Sequence, residues 1–186
     1  MEDLVNEHCN KLQRNRHSPK KLLVSRFLCI FFGFYALGCA KVDLTLPSDR
    51  EVASIFASSP SVSASMNGNV VEVIVEQPLY QIRRGGHLWA KVGPYIYLFT
   101  AETESIFQQF PGVAGVRVVT RTSRRSTEVA RALLYRDRLN SITWQRALNI
   151  AGKARRDGSG RPTFLEELIR WGEDHTDYGY SEEFVS

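Results

Sequence analysis

Beyond position 39 the chain contains no cysteine; its three are Cys9, Cys29 and Cys39. A domain built from the residues that follow has no internal disulfide, and no thiolate serves there as nucleophile or metal ligand. The same part has almost no excess of either charge. Residues 1–38 hold six basic residues (Lys11, Arg14, Arg16, Lys20, Lys21, Arg26) against three acidic ones (Glu2, Asp3, Glu7), whereas residues 39–186 hold 18 basic and 17 acidic. The formal net charge of +4 therefore belongs mostly to the first 38 residues, and a nucleic-acid partner inferred from overall charge loses its footing. Gly-x-Ser-x-Gly and phosphate-loop patterns are missing too: Gly85-Gly86 and Gly158-Ser159-Gly160 lack the spacing.

What is present has the balance of a globular chain, 43% hydrophobic and 24% charged, so disorder is not the default. The N-terminal part is different. Basic residues from Arg14 to Arg26 precede twelve uncharged ones, Phe27 to Gly38. A basic region followed by an apolar run of 7–15 residues is the layout of a secretory signal. The run is too short for a bilayer: a transmembrane helix needs about 20 apolar residues, and at about 1.5 Å per residue this one spans about 18 Å. A surface helix of a soluble core would show a 3.6-residue alternation, which is missing here.

The run ends in Ala36-Leu37-Gly38-Cys39, which resembles the lipobox of bacterial lipoproteins. The resemblance covers about residues 14–40. It implies cleavage between Gly38 and Cys39 and a diacylglyceryl group on the Cys39 thiol. Two departures are visible: Ala36 stands where the family more often has leucine, and about thirteen residues precede the usual start of the basic region, as an over-extended N-terminus would give. Ala40 follows the cysteine where aspartate would retain the protein at the inner membrane, so the resemblance implies the periplasmic face of the outer membrane. A cysteine with two or three acyl chains is a stable anchor, since one chain alone holds only marginally.

The expected organisation is a signal over 1–38, a lipidated tether over 39–47, and one α+β domain over 48–186. Ser48-Asp49-Arg50-Glu51 reads as a capping box opening a helix to about 58. Residues 58–68 read as a small-polar loop. Alternation in Asn69–Glu76 gives a strand. His87–Val92 and Tyr95–Thr100 read as two more strands around a Gly93-Pro94 turn, with Tyr95, Tyr97 and Phe99 on one face. A helix over 102–110 and a strand over 113–122 follow. Residues 127–136 are read as a strand paired with 115–122, in preference to a helix. Two helices close the pattern, 140–156 and 163–174, the second opened by a capping box at Thr163-Phe164-Leu165-Glu166. Strands in neighbouring pairs argue a small antiparallel sheet of about 4–5 strands with about 4 helices, preceded by the signal helix. Phe110-Pro111-Gly112-Val113-Ala114-Gly115-Val116, a helix end running into a strand, is loosely similar to small envelope modules such as the BON domain, and assigns no family to residues 48–186.

Three constellations invite chemistry. Arg117–Arg161 holds twelve basic residues and three acidic, and Thr163–Ser186 one basic and seven acidic. A basic surface would suit anionic lipid or polysaccharide; the favoured expectation is that the acidic tail lies over the basic hairpin. Glu173-Asp174-His175, with Glu166 or Glu167, invites a metal, but adjacent residues on a helix do not converge. His87 beside glycines is the other histidine of this part. The sequence thus points to a lipid-anchored cell-envelope protein, non-catalytic, that binds or assembles with a protein partner in the envelope. No cofactor, metal or nucleic acid is expected. An envelope hydrolase with an unrecognised site is the alternative.

Overall fold

The computed structural model describes residues 44–57 and 60–185, so the signal, Gly38 and Cys39 lie outside the described residues. Asp43–Ser186 forms a unit of its own. Its elements, in chain order, are α1 (Asp49–Ile55), β1 (Val62–Asn67), β2 (Val70–Gln77), α2 (Leu79–Leu98), α3 (Ala101–Gln109), β3 (Gly115–Thr122), β4 (Glu128–Tyr135), α4 (Ser141–Asp157), α5 (Pro162–His175), β5 (Asp177–Tyr180) and α6 (Glu182–Val185). A short 3-10 turn, Arg136–Arg138, links β4 to α4.

The class is α+β, as the strand pairs suggested. The five strands lie in sequence order, β1-β2-β3-β4-β5. Three pairings are antiparallel, but β2 and β3 run parallel, Val71 opposite Val116 and Val73 opposite Val118. The sheet is therefore mixed, and one residue range accounts for the difference. Residues 87–92 and 95–100, expected as two strands, are the helix α2 and its end. A helical crossover returns the chain to the same end of the sheet, and only then can neighbouring strands run parallel.

Gly86, Gly93 and Pro94, residues of turn chemistry, all lie inside α2. Gly86, at φ +66 and ψ -167, is non-helical, so α2 is two helical segments meeting at a kink. A Cβ on Gly93 would meet Thr120 Cγ2 at 3.1 Å, so glycine lets α2 cross the sheet closely. Pro94 is buried within the same helix. Tyr95 and Phe99, four residues apart, stack at 6.2 Å, whereas Tyr97 lies on another side of the helix.

Two further departures are local. The loop expected over 58–68 contains β1. Asn67 pairs with Val70, and the connecting Gly68 sits at φ +64, the position where a type II′ turn places glycine. The capping box expected at Thr163 does not form: α5 starts at Pro162 with Arg161 as N-cap, an arrangement that uses proline's missing N–H at the first helical position. The Ser48–Glu51 capping box is present, with the Ser48 amide donating to Glu51 Oε2 at 2.8 Å.

One face of the sheet forms the core. Val71, Val73, Val75, Val116, Val118, Ala132 and Leu134 meet Tyr95, Leu98 and Phe99 of α2, Trp144 and Ile150 of α4, and Leu165 and Leu168 of α5. Each fully buried aliphatic side chain contributes about 1.5–3 kcal/mol, so these helices hold the sheet rigidly from one side.

Candidate functional site

The other face of the sheet carries charge. Strand alternation puts Glu72, Ile74 and Glu76 of β2, Arg117, Val119 and Arg121 of β3, Arg131 and Leu133 of β4, and Asp177 of β5 on this side, since their neighbours point into the core. Arg117 Nη1 is 3.4 Å from Glu72 Oε2, directly across the parallel pair. Arg131 Nη1 donates to Glu128 Oε1 at 2.9 Å. Arg138, beyond β4, approaches Asp177 of β5 at 3.9 Å. Val119, between Arg117 and Arg121 on β3 and opposite Arg131 of β4, is only 3% exposed. A shallow depression of about 500 Å³ is centred on these residues.

The basic stretch of the sequence is therefore interleaved with acids on both flanks. β5 pairs with β4 from Ala130↔Tyr180 to Leu133↔Asp177, so the acidic C-terminal segment does run beside the basic hairpin. The result is a mosaic of both signs. Such exposed or half-buried pairs contribute about 0–1 kcal/mol each to stability; their charges remain available to a partner.

A second concavity, about 1210 Å³, lies beside α2. Tyr80, Trp89 and Tyr97 line it together with Arg155 and Glu102. Trp89 packs where a Cβ on Gly85 would stand, 2.1 Å from its ring. Burial holds the Arg155 guanidinium below its ordinary value, and Glu102 opposes that effect. Arg155 also donates to the Ile96 carbonyl at 2.7 Å.

The residues singled out for metal or acid–base chemistry are separated. His175 Nδ1 lies 2.8 Å from the Trp171 carbonyl, and its ring stacks on Trp171 at 4.1 Å. Glu173 accepts a hydrogen bond from the Tyr180 hydroxyl at 3.0 Å. Asp174, Glu166 and His87 are exposed, and Glu167 is half-buried. Among the described residues no group of three or more His, Cys, Asp or Glu is arranged to hold a metal ion, and no helix is long and apolar enough to cross a membrane.

A partly buried polar chain has no clear counterpart in the sequence pattern. Tyr95 and Tyr180 hydroxyls are 2.7 Å apart, and with Tyr180 donating to Glu173 they form Tyr95–Tyr180–Glu173. The Lys91 ammonium lies 5.4 Å from the Tyr180 ring centroid. Burial pushes the hydroxyls of Tyr95 and Tyr180 above the ordinary tyrosine value. This chain ties β5, and with it the edge of the charged face, to α2 and α5. The signal for it was weak: Tyr178-Gly179-Tyr180 alternates, but over too few residues to mark a strand.

Comparison of the chain with protein-family models, with curated proteins and with solved structures gives no match.

Proposed function

We propose that this chain is a lipid-anchored cell-envelope protein whose globular unit is a non-catalytic binding or assembly domain. Residues 1–38 are its signal, Gly38–Cys39 the cleavage point, and Cys39 carries the lipid. Ala40 directs the anchored protein to the periplasmic face of the outer membrane. The support for the address is the order of features in the sequence: basic patch, twelve uncharged residues, lipobox-like end.

The observation that carries the binding role is the mixed-charge face of the sheet. Its Glu72–Arg117 and Glu128–Arg131 pairs stand on strands whose opposite sides are locked in the core. A rigid surface of alternating sign selects a protein partner of complementary pattern, because like-charge juxtaposition rejects wrong ones. A polyanion would meet Glu72, Glu128 and Asp177 as well as the arginines. The hydrolase alternative has less support. The cleft beside α2 has one carboxylate on its wall, Glu102, whereas glycoside hydrolysis, for one, uses two.

The test is capture of envelope proteins by the anchored full-length chain after cross-linking in cells, compared between wild type and the charge-reversed pair Arg117→Glu with Arg131→Glu. Loss of a captured protein on reversal, at unchanged folding, is the expected result. An unchanged capture profile would remove the sheet face from the account.

A further inference from the structure

The chain enters the globular unit at one end of the sheet. The Gly112 amide donates to the Thr45 carbonyl at 3.1 Å. A Cβ on Gly112 would stand 2.2 Å from the Leu44 carbonyl oxygen, so glycine permits this close approach. Ala114 and Arg136 bond to the same corner: the Ala114 amide donates to Asn69 and the Arg136 amide to Ala114. Gly115, first in β3, pairs with Tyr135, last in β4. The 3-10 turn and the N-cap Asn140 of α4 follow directly.

Six described large apolar side chains are exposed, and four of them belong to this end: Leu44 (70%), Leu46 (44%), Tyr135 (39%) and Ile142 (77%). Carried on segments that meet at one end of the sheet, these side chains suit contact with an apolar surface. The occupant follows from the chain. Thr45 is six residues beyond Cys39, and an extended chain spans at most about 3.6 Å per residue, so the reach is about 22 Å. An end held that close to a lipidated cysteine, and bearing leucine, isoleucine and tyrosine, meets the bilayer surface before any other partner.

We infer that this end of the domain, carrying Leu44, Leu46, Tyr135 and Ile142, docks on the phospholipid surface. Short apolar side chains enter the headgroup boundary and the tyrosine sits at the interface. The inference rests on the lipid anchor at Cys39. Charges at this end come in both signs, Asp137 and Asp177 beside Arg136 and Arg138. Docking is therefore apolar, insensitive to salt and to anionic lipid. The charged sheet face beyond Asp177 stays free for a protein partner.

Photoreactive phosphatidylcholine in phosphatidylcholine vesicles tests this on the full chain carrying its own lipid. The labelled peptides should be those of residues 44–46 and 135–142, with none over 123–127, the hairpin turn at the opposite end of the sheet. Labelling should persist at high ionic strength and drop at least tenfold in Leu46→Asp with Ile142→Asp, at an unchanged thermal transition. Equal labelling of both ends, or labelling that collapses with salt, overturns the inference. A second sample separates it from the anchor reading. Cys39 is the one thiol of residues 39–186, so that fragment, whose globular part is a unit of its own, is coupled through Cys39 to a maleimide phospholipid. Peptides 44–46 and 135–142 labelled in this sample uphold docking even if cells attach no lipid. Uniform labelling here refutes docking even if they do.

Discussion

The ring of Tyr95 occupies the space a Cβ on Gly172 would need, 2.3 Å from its nearest ring carbon. Through this contact α5 and α2 approach closely enough for Tyr95 to reach Tyr180 on β5. Gly172→Ala forces the ring aside. Overpacking of this kind costs about 1–3 kcal/mol, so the thermal midpoint should fall, and the same Gly172→Ala change should cost less when made in a Tyr95→Ala background. A Gly172→Ala chain as stable as wild type would refute the contact.

The tyrosine chain predicts an alkaline limit to stability. Burial, the largest cause, raises the hydroxyls of Tyr95, Tyr97 and Tyr180 above the ordinary 10.0. Their folded values exceed their unfolded ones, so the neutral form is the one the fold favours. That stabilisation is fully present below about pH 10 and is lost as pH rises above it. Unfolding free energy measured against pH should decline above 10, and less steeply in Tyr95→Phe with Tyr180→Phe. Equal slopes would contradict the assignment.

Arg136 binds one corner of the fold together. Its Nε donates to the Val113 carbonyl at 2.8 Å, and its two terminal nitrogens donate to Phe107 and Phe110 at the end of α3. Its guanidinium also lies 5.2 Å from the Phe107 ring centroid. Arg136→Ala leaves three carbonyls without this donor and should cost about 2–4 kcal/mol. Arg136→Lys should recover little, because an ammonium cannot reproduce the planar fork. Denaturant unfolding of both variants measures this; full recovery by lysine would show that charge alone matters.

Much of the fold was legible in the sequence, and the exceptions share a cause. β2, β3 and β4 alternate cleanly, and α1 and α4 carry caps at Ser48 and Asn140, whereas the Thr100 cap of α3 stands where the sequence reads as a strand end. α2 was not legible. Tyr95-Ile96-Tyr97-Leu98-Phe99 has strand composition, and Gly93-Pro94 has turn chemistry, yet tertiary packing against Thr120 requires a small residue at Gly93 within a helix. β1 was hidden by its serines, although Val62, Ala64 and Met66 alternate and Asn67-Gly68 follows. An Asn-Gly pair after alternating residues is itself a hairpin signal. The charged face was legible as composition only. The Glu72–Arg117 pair depends on the parallel register of β2 with β3, which no local pattern encodes, whereas Glu128–Arg131 lies within one strand.

That face predicts a separation of stability from binding. Arg117→Ala and Arg131→Ala remove exposed pairs and should each change unfolding free energy by less than about 1 kcal/mol. Partner capture should nevertheless weaken, most strongly at low ionic strength. A large stability loss from either variant would show that the pairs serve the fold instead.

The anchor at Cys39 remains the claim on which the cellular reading stands, and intact mass spectrometry of the membrane-extracted protein tests it most directly. The expected species is a chain beginning at Cys39 with the added mass of two or three acyl chains, absent in Cys39→Ala. A membrane-bound chain that keeps residues 1–38, or a Cys39→Ala chain still processed and membrane-bound, would contradict it.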